Sequence, residues 1–163
     1  VEKAPMRTGS IIYLDNEGTI PKGWLGPFIS QSPKTPELLI DNGYKYMLDW
    51  WFDDQPQWFR TDNGKILSIP YPSMELNDIP AFINRGIDDD AFTRMMIDTF
   101  DEMYEESAKQ GWAQINCFSL HTFLMGQPHR IRQLRKVFKH ISRYHKDIWI
   151  CHPGNISDYM YQK

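Results

Sequence analysis

At 163 residues with a formal net charge of -3, the chain has the length of a single domain. Its 41% hydrophobic and 14% aromatic content excludes disorder, and no apolar run nears the ~18 residues of a membrane span. The negative balance argues against a general nucleic-acid binder. Two cysteines exclude a disulfide scaffold and fit a reducing compartment, which points to the cytoplasm. Val1 is not a start methionine, and VEKAPMRTGS resembles neither a secretion signal nor a transit peptide, so the chain reads as processed or cut from something longer.

Apolar Ile11 to Leu14 precedes a Pro/Gly turn and the segment GWLGPF at Gly23 to Phe28. Thr35-Pro36-Glu37 has the order of an N-cap, a proline at the first helical position and a first-turn acid. It opens a short helix through Leu38-Leu39-Ile40 that Asn42-Gly43 stops, and a strand over Tyr44 to Leu48 follows. Asp49 to Asn84 is a long irregular stretch in which only Ile66 to Tyr71 reads as a strand. Loops of that length in a compact domain tend to be lids or binding loops.

Asp88-Asp89-Asp90 starts the longest predicted helix, with negative charge where the helix dipole favours it. Phe92, Met95, Met96, Thr99 and Met103 form its core stripe, and Gly111 ends it. Ala113 to His121 has the alternation of a central strand with a histidine at its C-terminal end. A helix over Pro128 to Arg143 follows, with Ile131, Leu134, Phe138 and Ile141 at core spacing. Asp147 to Cys151 reads as the last strand and Pro153 to Tyr161 as a short terminal helix. The recurring helix–strand unit predicts an α/β fold with a mainly parallel sheet or barrel segment.

Catalytic groups in such folds gather where strands end and loops begin. That rule selects Trp24 to Pro27, Asp49 to Gln55, Glu75 to Asp78, and His121 to His129. The run DWWFDDQP from Asp49 to Pro56 places three carboxylates among aromatic walls that raise some of their pKa values. It reads equally as a turn whose aspartates cap exposed amides. His121, at a strand end, has the chemistry to protonate a leaving group, against the plainer reading of a core histidine held by a carbonyl. Gly126 to Arg130 starts a helix whose free amides attract anions or carbonyl oxygens, or is an exposed basic turn.

Arg130 to Lys146 carries seven Lys or Arg, but Asp88 to Glu106 carries eight Asp or Glu, so a solvated helix face is the expected reading. No histidine pair has i, i+4 spacing on one helix, and no phosphate loop or GxSxG elbow is present, so no cofactor or metal is expected of this chain. Cys117 and Cys151 read as buried hydrophobes rather than nucleophiles.

Taken together, GWLGP at Gly23 to Pro27, DWWFDDQP, YPSMELNDIP at Tyr71 to Pro80 and SLHTFLMGQPHRIRQL at Ser119 to Leu134 carry a resemblance. The chain resembles polysaccharide deacetylases of the NodB-homology type, in the branch with the metal-independent, allantoinase-like proteins, from about Gly23 to Asp158. The resemblance implies part of a distorted (β/α)7 barrel, the C-terminal portion, as a single domain over residues 1–163. It implies hydrolysis of a carbon–nitrogen bond that is not a peptide bond, in an N-acetyl amino sugar or a cyclic ureide such as allantoin.

By the same resemblance Leu120 supplies an apolar wall and His121 the general acid, and Asp49 or Asp53 orients that histidine with Trp50 as a pocket wall. Trp24, Asp54, Glu75, Asn77 and Asp78 line the pocket, and Gln127 or His129 holds substrate oxygens. The family's paired-aspartate first motif and His-x-x-x-His second motif are absent here. A divalent metal is therefore implied only if another half carries those ligands. Thr19-Ile20-Pro21-Lys22 stands where the third motif usually carries an arginine.

These departures predict that the isolated chain is marginally stable, that it aggregates or pairs, as a homo-oligomer for instance, and that it turns over little alone. Its expected partners are a small-molecule or sugar substrate, with no nucleic acid and no membrane. A non-catalytic module that binds a sugar or ureide through Trp24, Trp50 and Trp51 is the alternative.

Overall fold

The computed structural model describes residues 3–72 and 75–163, with side chains from Met6 onward. Ser73 and Met74 of the YPSMELNDIP segment lie outside the described residues. The chain divides into two compact units: residues 1–70 with 151–163, and residues 71–150.

The first unit is built on a four-stranded sheet. Its strands are β1 (Gly23–Trp24), β2 (Tyr46–Met47), β3 (Gln57–Thr61) and β4 (Gly64–Ser68), in the spatial order β1-β2-β4-β3. β1 runs parallel to β2 and β2 parallel to β4, with Tyr46 opposite both Gly23 and Leu67. β3 is antiparallel to β4, with Phe59 opposite Ile66. This hairpin falls in the stretch expected to be irregular. Its turn signal is Asn63-Gly64, with Gly64 in a positive-φ conformation that other residues avoid.

Helix α1 (Lys3–Glu17) contains the apolar run Ile11 to Leu14, all of it exposed. Helix α2 (Thr35–Asp41) forms where the Pro36–Glu37 start predicted it, with Lys34 as the capping residue. Met6, Leu39, Tyr44, Met47 and Ile66 make the buried core of this unit. The terminal helix α6 (Pro153–Gln162) joins the unit through Lys22 to Asp158 at 3.1 Å and a Tyr161 hydroxyl that donates to the Lys45 carbonyl.

The second unit is mainly helical. Helix α3 (Asp89–Gln110) has the predicted ends: the Asp88 side chain accepts from the Ala91 amide at 2.7 Å, and Gly111 closes it in the left-handed conformation. Its buried residues are Phe92, Thr93, Met96 and Phe100, while Met95, Thr99 and Met103 are only half-buried. A short α4 (Thr122–Met125) leads into α5 (Pro128–Ile141), which a 3-10 turn (Ser142–Tyr144) extends. On α5 the core residues are Val137 and Ile141, and Phe138, expected in the core, is half-exposed. The core of this unit joins Leu76, Ala81, Phe92, Met96, Phe100, Met125, Val137 and Ile141.

Two expected strands are not formed. Ala113 to His121 carries only a single parallel bridge, Asn77 to Ser119, and Asp147 to Cys151 carries no ladder among the described residues. Both segments have strand chemistry, but a ladder needs a neighbour on which to form, and composition cannot supply one. The architecture is therefore mixed α/β with a partial sheet. Among the described residues no helix is long and apolar enough to cross a membrane.

Candidate functional site

In the second unit, the bridge between Asn77 and Ser119 fixes the two segments that carry the candidate site. The Ser119 amide donates to the Leu76 carbonyl at 2.9 Å, and the Asp78 amide donates to the Ser119 carbonyl at 3.1 Å. That pairing sets Asp78 beside His121, 43 residues further along the chain. The Asp78 carboxylate is fully buried and both its oxygens are used. Oδ1 is 2.6 Å from His121 Nδ1, and Oδ2 accepts the His121 backbone amide at 2.6 Å. Two such bonds hold the ring and its backbone together, and a carboxylate at Nδ1 favours the tautomer that carries its proton there. Nδ1 is occupied, and Nε2 remains for a ligand.

The carboxylate bonded to His121 is Asp78, which the sequence placed only in the pocket lining, where Asp49 or Asp53 was expected. A partner so distant in the chain leaves no local signal. A residual cue is that Asn77-Asp78 precedes Ile79-Pro80, a helix-start pattern. Sequence reasoning also missed Tyr71, whose hydroxyl is 2.6 Å from Ser119 Oγ, and Phe123, whose ring lies 5.7 Å from that of His121.

The other expected residues of this unit divide. Asn77 is buried and structural: its Oδ1 accepts from the Ile79 amide and its Nδ2 donates to the Pro72 carbonyl. Leu120 packs against the core. Glu75, Gln127 and His129 are exposed. Gln127 donates to the Phe123 carbonyl, and His129 is 3.6 Å from Asp89, which also takes Arg130 at 3.0 Å.

In the first unit, Asp49 is nearly buried, accepts the Gly26 amide at 2.5 Å, and lies beside Trp24. Burial pushes its pKa up, and the Gly26 amide and the Trp24 indole pull partly the other way. Asp49 Oδ2 and Trp24 Nε1 are both buried without a well-formed hydrogen bond. Asp49 thus holds the 23–30 loop, in which Phe28 and Ile29 adopt positive φ near 55° and 54°. Such conformations are strained for an aromatic and a β-branched residue and persist only where the surroundings impose them. Position 26 must be glycine, because a side chain there would run into the Ser30 carbonyl.

Trp50 sits edge-on to Phe52 and Phe59, and Phe52 stacks on Phe59 at 6.0 Å. Asp53 is exposed and accepts the Asp54 amide at 2.8 Å, the turn-capping arrangement; Asp54 itself is half-exposed. Among the described residues no group of three or more His, Cys, Asp or Glu is placed to hold a metal ion. Cys117 and Cys151 are free, and burial pushes the Cys117 thiol up to about 11, well outside nucleophile range.

The mixed α/β scaffold that carries this histidine has counterparts among solved structures, each matched over about half of its own chain. The chain is similar in sequence and fold to polysaccharide deacetylases and to allantoinase. A Schizosaccharomyces pombe protein that carries the name polysaccharide deacetylase is 30% identical over 113 residues, which is 63% of this chain and 34% of that one. The crystal structure of PuuE allantoinase matches at TM-score 0.86 and 26% identity, over 99% of this chain and 53% of its own. A polysaccharide deacetylase structure from Pseudomonas aeruginosa PAO1 matches with the same values. One from Mycobacterium smegmatis, at 21% identity and TM-score 0.78 over 97% of this chain and 55% of its own, shares the fold. The chain thus spans about a third of the curated relative and about half of the solved structures it matches. No protein-family model matches it.

Proposed function

We propose that the chain supplies the general-acid half of a hydrolase that cleaves a carbon–nitrogen bond other than a peptide bond, in an N-acetyl amino sugar or a cyclic ureide. The His121–Asp78 pair is the observation that carries this reading. Water attacks the amide or ureide carbonyl and gives up its proton to a base from outside this chain. The imidazolium of His121 then delivers its Nε2 proton to the departing nitrogen, which leaves as a neutral amine, and the ring becomes neutral. Asp78 holds the ring throughout and offsets its positive charge in the protonated state, as a carboxylate on Nδ1 does in hydrolytic triads. General-acid assistance of this kind contributes roughly 10²–10⁴-fold. Gln127, His129 and Glu75, exposed in the same unit, are the groups to hold substrate oxygens.

A second reading, a binding module without turnover, draws on the aromatic group of the first unit. Trp51 and Phe52 are exposed beside Trp50 and Phe59, with Asp53 and Gln57 at the edge, a composition suited to sugar faces and hydroxyls.

Titration of the chain with allantoin and with N-acetylglucosamine oligomers, followed by the ring resonances of His121, separates the two. The proposal predicts that one ligand class shifts His121 and that the isolated chain turns over neither. If His121 responds to neither class while Trp fluorescence does, the binding module stands and the hydrolase reading falls.

A further inference from the structure

Helix α5 and the turn after it hold seven cations and no acid between Arg130 and Lys146, in a chain of net charge -3. The side that faces α3 spends its groups on that helix. Arg130 pairs with Asp89 at 3.0 Å and lies over the Phe82 ring, Lys136 reaches Asp90 at 3.9 Å, and His140 meets Asp101 at 2.6 Å. Arg132, Arg135, Lys139 and Arg143 are exposed, and none of them makes an ion pair among the described residues. Their spacing sets them along one stripe, on the side opposite buried Val137 and Ile141. At 1.5 Å per residue the stripe is about 17 Å long. Phe138 stands beside it, 51% exposed, where the periodicity predicted a core residue.

We propose that this face is a binding track for a linear, carboxylate-bearing polysaccharide, an inference that rests on reading the His121 site as a glycan hydrolase. The track begins at Gln127, the residue that caps α5, six positions after His121, so a polymer engaged at His121 can continue along it. The cations meet the carboxylates, and Phe138 offers an apolar face for a sugar ring. The stripe is a single row of cations, which suits the spaced carboxylates of one linear chain, and exposed Arg94, Asp98 and Glu102 on neighbouring α3 leave that helix of mixed charge.

Calorimetric titration of the whole chain with polygalacturonate, and with neutral dextran as control, tests the track. The expected result is polygalacturonate binding that weakens about tenfold or more from 50 to 200 mM salt, with no dextran binding. The joint variant Arg132→Gln, Arg135→Gln, Lys139→Gln, Arg143→Gln is expected to lose about tenfold or more at low salt. Phe138→Ser is expected to lose about threefold. Should the joint variant not fold by circular dichroism, Arg135→Gln and Lys139→Gln singly, each about two- to threefold weaker, carry the same test. Polygalacturonate holds no carbon–nitrogen bond, so its binding reads the track alone, whereas the response of His121 to N-acetylglucosamine oligomers or allantoin reads the hydrolase, and either can fail without the other. Equal binding of dextran, unchanged binding by the glutamine variants, or no binding of polygalacturonate overturns the track. Tighter binding of duplex RNA or phosphatidylserine vesicles than of polygalacturonate also overturns it and gives the face to that partner.

Discussion

Two buried aspartates, one in each unit, stand in similar settings and do different things. Asp78 is fully buried with both oxygens engaged, one of them by an imidazole. Asp49 is almost as buried, but its bonded oxygen meets only the Gly26 amide and its other oxygen has no well-formed partner. The difference teaches that burial alone does not say what a carboxylate is there to hold. Asp78 is coupled to a group that can carry a proton to a substrate, whereas Asp49 holds a loop in a strained shape. The aspartates of the DWWFDDQP run whose bonds are described, Asp49 and Asp53, both accept backbone amides.

The sharpest break between them is kinetic. In a form of the protein where turnover is measurable, His121→Ala is expected to lower it by roughly 10²–10⁴-fold. Asp49→Asn is expected to act on loop order and substrate affinity first. A turnover rate that survives His121→Ala while Asp49→Asn abolishes it would reverse the assignment.

Stability gives the next contrast. His121→Ala leaves the buried Asp78 carboxylate with a backbone amide only, at a cost of about 2–3 kcal/mol in urea unfolding. His129→Ala, at an exposed pair, is expected to cost well under 1 kcal/mol. Comparable losses from the two would mean that the buried pair contributes little.

A smaller effect separates the aspartates by pH. The folded-state pKa of Asp49 is raised, chiefly by burial, so folding favours its neutral form. The stability difference between wild type and Asp49→Asn should therefore turn against wild type as pH rises from the ordinary carboxylate range near 3.8 through the raised value, and be flat below it. A difference that stays constant across that window would contradict the burial of Asp49. The smallest expected effect is chemical: at pH 8, alkylation of Cys117, with its thiol near 11, should be slow, and unfolding in urea should release it.

How much of this was legible in the sequence varied with how local the cause was. Helix α3 could be read almost to the residue because Asp88, the acids after it and Gly111 act within one turn of its ends. His121 stood out as a titratable residue closing an apolar segment. Its partner did not, because Asp78 reaches it through a bridge between segments 43 residues apart. The β3–β4 hairpin was hidden because its Asn63-Gly64 turn sits in a run crowded with other turn residues. Phe138 shows the opposite failure: it has core spacing, yet Val137 and Ile141 fill the core and leave it half-exposed. Ala113 to His121 and Asp147 to Cys151 have the composition of strands, but pairing depends on neighbours that composition does not encode.

The central claim, that Asp78 holds His121 as a proton donor, is tested most directly by long-range nitrogen–proton correlation of the His121 ring in wild type and in Asp78→Asn. The account predicts that neutral His121 carries its proton on Nδ1 with Nε2 bare, and that Asp78→Asn moves the proton to Nε2. A wild-type ring protonated at Nε2, or a tautomer that ignores Asp78→Asn, would contradict it.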